Sequence, residues 1–205
     1  MSVPRHPSPA RLTPADVVRA AALIADTDGI DAVTLTRVAR DLSVRQPALY
    51  RHVDGIEALR KALALRAREM LAGCLTQAAI GRSGEAAIRS VATAWRKFVH
   101  DHPGLYTVTD RVPTMGDIEL EDSVDRVVGV LALALGGYGL GPESTVHAAR
   151  SVRSALHGFV VLEKDNGHPE PFGLDESFER LVTLLVAGIK AMADHQSGNP
   201  GATPV

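Results

Sequence analysis

Residues 34–53 read TLTRVARDLSVRQPALYRHV. Leu35, Val38, Ala39 and Leu42 recur at the three-and-four spacing of one helix face. Thr34 ahead of them is a residue type that caps helix N-termini. Ser43-Val44 interrupts the pattern over the length of a tight turn, and a further short helix is expected at 45–52 with Leu49 as its buried anchor. Two short helices joined in this way, with a third in front, make a helix-turn-helix. In that motif the last helix enters the DNA major groove while the helix before it crosses the backbone. Leu35, Val38, Ala39, Leu42, Val44 and Leu49 supply a small core. Arg37, Arg45, Gln46, Ala48, Tyr50 and Arg51 are left on the outer face.

The helix in front starts at Thr13-Pro14-Ala15-Asp16, where a capping threonine, a first-turn proline and an acid suit the positive helix N-terminus. Val17, Ala20, Ala21 and Ile24 form its apolar stripe and Gly29 ends it. Asp54-Gly55 breaks the chain again, and a long helix follows at 56–80 with Leu59, Leu63, Leu71 and Leu75. Further helices are expected at 85–102, 117–138, 143–165 and 175–194, with a short helical turn at 105–110 after His102-Pro103-Gly104. Alternating strand patterns and hairpin turns are lacking. The expected fold is all-α: a three-helix helix-turn-helix head on a larger helical body. The division is a flexible arm at 1–11, the head at 12–55, the body at 56–196 and a disordered tail at 197–205.

Composition bounds the function. The 205 residues are 45% apolar and 22% charged, enough for a core and unlike a disordered chain. Cys74 is the single cysteine, which excludes an internal disulfide; inside an apolar helix it reads as a small buried hydrophobe. The longest apolar run, 127–137, is about half the ~20 residues of a membrane span, so no membrane partner is expected. Arg5 has no apolar stretch behind it, so no secretory signal is read and a cytoplasmic location is expected. The net charge of −2 argues against a generic polyanion binder. Its distribution is uneven: residues 1–61 carry nine Lys/Arg against seven Asp/Glu, and the remainder 13 against 17. A mildly basic head on an acidic body hints at a nucleic-acid end.

The run Thr34 to Val53 resembles the DNA-binding head of the tetracycline-repressor (TetR) family. The pattern Val44-x-x-Pro47-Ala48-Leu49-Tyr50-x-His52-Val53, followed by Glu57-x-Leu59, carries the resemblance, which extends over roughly residues 12–60. It implies an all-helical homodimeric regulator. By this likeness Thr36 and Arg37 meet phosphate or a base edge. Arg45, Gln46, Pro47 and Ala48 face the bases, and Tyr50 and His52 contact phosphates. The chemistry agrees, since Arg suits guanine O6/N7, Gln suits adenine N6/N7, and an Ala or Pro surface meets a thymine methyl. Two positions depart from the family pattern. Ala48 replaces a small polar residue, and Ile56 replaces a phosphate-gripping lysine, for which Arg60, Lys61, Arg5 or Arg11 are the candidate substitutes.

In the body, the last two long helices are apolar on more than one face. One carries Val146, Ala149, Val152, Leu156 and Val160, with Phe159 and Val161 off that stripe. The other carries Phe178, Leu181, Leu184, Leu185, Ile189 and Met192, with Val182 and Val186 off it. A helix apolar on two faces must bury both, which points to a homodimer across a two-fold axis. His157-Gly158 and His102-Pro103-Gly104 also resemble a subclass of the family named for a Trp-His-Gly signature, although the Trp is absent. A small-molecule effector pocket is expected from Trp95, Phe98, His102, Tyr106, Met115, Leu131, His147, Arg153 and His157. Catalytic, metal and cofactor motifs are lacking: there is no His-Glu-x-x-His, no multi-cysteine site and no phosphate loop. The expected function is a repressor released from a palindromic double-stranded DNA operator by its effector. The competing reading is an all-helical enzyme or binding module with an incidental helix-turn-helix.

Overall fold

The computed structural model describes residues 12–197, so the arm at 1–11, with Arg5 and Arg11, and the tail from 198 onward lie outside the described residues. The helices are α1 (Pro14–Asp28), α2 (Leu35–Asp41), α3 (Gln46–Leu49), α4 (Ile56–Ala79), α5 (Gly84–Asp101), α6 (Pro103–Arg111), α7 (Ile118–Leu135), α8 (Pro142–Lys164) and α9 (Leu174–Ser197). Short 3-10 turns follow α1 and α7. Among the described residues there is no strand. None of these helices alone is long and apolar enough to cross a membrane.

Local chemistry sets the head. Thr13 caps α1 with a full capping box: its hydroxyl accepts from the Asp16 N–H and the Asp16 carboxylate accepts from the Thr13 N–H. The Thr13 hydroxyl also donates to the Asp16 carboxylate at 2.6 Å, and this bond first, with that from the Thr13 N–H second, holds the Asp16 carboxyl below its ordinary range. Thr34 caps α2 through the Arg37 N–H. The turn after α2 is a Schellman motif, with Ser43 N–H bonded to the Arg40 carbonyl and Val44 N–H to the Ala39 carbonyl. Ser43 holds the left-handed position at φ 55°, where glycine is the usual occupant. The helix expected at 45–52 is shorter than its pattern suggested. Regular helix ends at Leu49, and Tyr50, Arg51 and His52 form a turn leading to Gly55 at φ 95°.

The buried side chains form two clusters. The head cluster contains Val17, Ala21, Ile24, Val38 and Leu49, and is completed by Leu59, Leu63 and Ala67 of α4 and Leu105 and Val108 of α6. The body cluster takes Leu71 and Leu75 of α4, Trp95 and Phe98 of α5, Tyr106 of α6, and the inward faces of α7, α8 and α9. Helices α4 and α6 therefore belong to both, as does α7, whose Leu120 joins the head cluster. The buried stripe of α4 advances by four, Leu59, Leu63, Ala67, Leu71, Leu75, and this phase turns Cys74 to solvent; the expected buried thiol is exposed.

Where α6 meets α1 the contact is unusually close. The sequence suggested only a helical turn at 105–110, yet α6 is a full helix from Pro103. Its N-terminus is capped from another element: Asp26 Oδ1 accepts from the Leu105 N–H at 2.7 Å, and Asp26 Oδ2 lies 2.9 Å from His102 Nδ1. Gly104 lies against the α1 backbone, where an added Cβ would stand 1.7 Å from the Ala25 carbonyl oxygen.

Three stability predictions result. Gly104→Ala forces α6 off α1 and should cost about 2 kcal/mol or more, a fall of roughly 4–8 °C in Tm. Gly73→Ala, an α4 glycine with open space around it, should instead gain roughly 0.5–1 kcal/mol. Ser43→Gly relieves left-handed strain but loosens the unfolded chain, for a net gain of about 0.5 kcal/mol. Thermal and denaturant unfolding of the variants beside wild type checks all three.

Candidate nucleic-acid interface and effector cavity

The outer face of the head presents the residues named from its sequence. Arg45, Pro47 and Tyr50 are exposed; Gln46, Ala48 and His52 are half-buried. Arg45, the backbone cap of α3, and Arg51 make no ion pair among the described residues, so their cationic groups face solvent. Thr36 joins this surface by donating its hydroxyl to Gln46 Oε1 at 3.0 Å across the turn. That bond aims the Gln46 amide. One lone pair of Oε1 is occupied, and the second lone pair and both N–H donors remain for a base edge.

Arg37 is placed differently. Its guanidinium bonds Asp28 at 2.7 Å, which ties α2 to the end of α1, and Asp41 of its own helix at 3.2 Å, and both bonds raise its pKa. Of the residues expected to stand in for the family's lysine, Arg60 pairs with Glu57 at 2.8 Å. Lys61 is held by Asp117 and Glu119 at 2.8 and 3.0 Å, bonds that raise its pKa. Ile56 itself is half-buried against the head cluster.

In the body, four of the expected pocket residues line one cavity of about 40 Å³: Trp95, Tyr106, Arg153 and His157. Leu71, Val124 and Val127 give it apolar walls, and Arg68, Thr109 and Asp110 add polar groups that the sequence reading missed. Arg68 had a signal. It stands four residues after Ala64, three before Leu71 and seven before Leu75, a charge in phase with an apolar stripe. Trp95 Nε1 donates to the Tyr106 hydroxyl at 3.1 Å, and that hydroxyl lies 2.7 Å from His157 Nδ1. Burial pushes the Tyr106 pKa up, so the phenol keeps its proton. His157 Nε2 then faces Asp110 at 3.8 Å.

The remaining expected residues divide. Phe98 packs its ring edge on Tyr106 and, like Leu131, lies inside the body cluster. His102 belongs to the joint with Asp26. Met115 and His147 do not reach the cavity. Met115 is 95% exposed in the link between α6 and α7. His147 is exposed because the inward stripe of α8 runs through Ala148, Ala149, Val152 and Leu156. Among the described residues, no cluster of His, Cys, Asp and Glu has metal-binding proximity.

Comparison with known proteins agrees with this architecture. Residues 88–185 match the family described as tetracyclin repressor-like, C-terminal domain. An HTH-type transcriptional regulator of Mycobacterium tuberculosis is 34% identical over 188 residues, spanning 91% of this chain and 86% of that protein. The crystal structure of BioQ with its natural double-stranded DNA operator superposes with a TM-score of 0.66 at 26% identity, over 88% of this chain and 99% of that one. A TetR protein from Acinetobacter baumannii gives a TM-score of 0.68 at 22% identity, over 89% and 99% of the two chains, a likeness of fold. A head read from residues 34–53 and a body matched over 88–185 thus converge, and the chain belongs to the tetracycline-repressor family of helix-turn-helix transcriptional regulators.

Proposed function

We propose that two copies of the chain bind a palindromic double-stranded DNA operator in the cytoplasm and that a small-molecule effector in the body cavity releases them. The observation that carries this reading is the exposed outer face of α3, with Gln46 aimed by Thr36 and flanked by Arg45 and Arg51. BioQ, caught on its operator, shares the fold. In a two-fold dimer the recognition helices stand about one DNA turn apart, ~34–36 Å. An effector that fits a differently spaced dimer better shifts the population away from DNA, to the extent of its differential affinity.

The proposed dimer face lies on α8 and α9. Of the stripes expected at the interface, Ala149, Val152, Leu156, Val160, Phe178 and Ile189 are already buried within the single chain, as are Val182 and Val186, while Val146 and Leu184 are exposed and Leu181, Leu185 and Met192 half-buried. A second α9 face remains open: Leu184 is 70% exposed, in line with Ala187, Gly188 and Ala191. Leu162 of α8 is also exposed. These small and apolar residues suit close helix packing against a second copy.

Operator binding is tested by fluorescence anisotropy at fixed salt, using the DNA upstream of the chain's own coding sequence and base-substituted copies. Gln46→Ala should weaken specific binding by about 1–3 kcal/mol and relax one position of the site. Thr36→Val should relax the same position less, while Tyr50→Phe should weaken all sequences evenly. Wild-type affinity in all three variants would remove α3 as the recognition helix. For assembly, Leu184→Glu should leave single-chain stability within about 0.5 kcal/mol and split the dimer, because a charge in a dry interface is unpaired. Leu185, half-buried in its own chain, is a less clean probe. Sedimentation showing an unchanged dimer would move the interface elsewhere.

A further inference from the structure

The cavity between α4, α5, α6, α7 and α8 holds an unbalanced positive charge. Arg68 is only 5% exposed, yet no carboxylate among the described residues lies within ion-pair distance of its guanidinium. Its hydrogen bonds go to neutral oxygens: the Thr109 carbonyl at 2.8 Å, Thr114 Oγ1 at 3.3 Å and Ser123 Oγ at 3.5 Å. A guanidinium carries five N–H donors, so donor capacity remains beyond these bonds. Burial first, and the Arg153 charge second, push the Arg68 pKa down, with Asp110 opposing. The lining thus holds two cations, Arg68 and Arg153, and one anion, Asp110, which itself faces His157. A buried ion without a counter-ion is strongly disfavoured, and a bound monoanion removes the imbalance.

We propose that this cavity receives the carboxylate of a small organic acid, held by Arg68 with Arg153 beside it, and with the acid's apolar part against Leu71, Val124, Val127 and Trp95. The proposal rests on the reading of the body as an effector-binding unit and names the chemistry of that effector. A planar carboxylate matches the guanidinium fork in bidentate fashion. The apolar walls and the nearby Asp110 disfavour a hydrated dianion such as phosphate. The space of about 40 Å³ admits a carboxylate head group. A longer tail must either extend through the open side, where Arg153 is exposed, or push α6 or α7 aside. The site abuts α4, α6 and α7, each of which also sends side chains into the head cluster, so occupation is felt at all three.

The chain's single tryptophan, Trp95, lies in this lining and reports directly. The purified full chain is titrated with butyrate, hexanoate, octanoate and benzoate, with hexanamide and benzamide as neutral matches, and with inorganic phosphate. Trp95 emission and Tm are followed. At least one acid should saturate the emission change and raise Tm, while its amide does neither. Arg68→Met should raise that acid's apparent Kd at least tenfold without lowering the unliganded Tm, and Arg153→Gln should raise it several-fold. A role for Arg68 confined to clamping Thr109 and Thr114 predicts a lower unliganded Tm in Arg68→Met and no preference of acid over amide, which would overturn the proposal. Response to phosphate alone, or to none of the acids, would overturn it as well. If Arg68→Met fails to fold, the acid–amide comparison and Arg153→Gln decide. Operator anisotropy separates the two readings. An acid that binds without changing operator affinity leaves the carboxylate site standing and removes effector release. Intact operator binding with a silent Trp95 does the reverse.

Discussion

The carboxylate of Asp26 joins the head to the body at α6. It projects from the last turn of α1 and accepts the Leu105 N–H, supplying to α6 the cap that α6's own sequence lacks. His102 closes the other side of the carboxylate, and Gly104 permits backbone contact that no side chain would allow. The head is thereby fixed to the body at a site distinct from its covalent link through α4. A three-helix head on a single helical stalk would swing. Held at α1 as well as through α4, it has a defined orientation, and orientation is what operator recognition requires of it.

Both attachments pass the cavity. α4 contributes Ala67 to the head cluster and Leu71 to the body cluster, and Arg68 stands between them. α6 directs Leu105 and Val108 to the head and Tyr106, Thr109 and Asp110 to the cavity. The hydrogen-bonded series Trp95, Tyr106, His157 ties α5, α6 and α8 across the same space. A shift of α6 in the body is therefore a shift of the Asp26 joint, without any need for a chain of intermediate residues. Rigid elements that share two packed cores move as units, because close-packed cores resist continuous deformation.

The parts legible in the sequence were those with local causes. The caps at Thr13 and Thr34, the breaks at Gly29 and Gly55, and the apolar stripes of the long helices all act within a few residues, and the helices begin and end near where those signals stand. Trp95, Tyr106, Arg153 and His157, which do line one cavity, stood out because polar and aromatic residues near a helix break are unusual inside an apolar body. The full length of α6 was not legible, since its cap comes from Asp26 on another helix. The quenching of Arg37 and Lys61 by Asp28, Asp41, Asp117 and Glu119 was equally hidden, because a cation counted from sequence looks free. Met115 and His147 were misplaced for a related reason. Residue type suggested a pocket, but helix phase and a surface loop decided exposure.

The geometry of α4 sets the scale of the proposed switch. A helix of 24 residues is about 36 Å long at 1.5 Å per residue. A tilt of roughly 5° about its middle, near Arg68, moves either end by about 1.5 Å, and two heads displaced in opposite senses change their separation by roughly 3 Å. Hydrogen bonds to base edges and phosphates tolerate only a few tenths of an ångström around 2.7–3.2 Å. A displacement far smaller than the ~34–36 Å between half-sites is thus enough to lose them. The cavity touches α4 at Arg68 and Leu71, at and just past the helix midpoint. The cavity also lies against α6, whose Asp26 joint must yield or follow when α4 turns. The strength of that joint then sets how much of the effector's binding energy reaches the DNA-binding head.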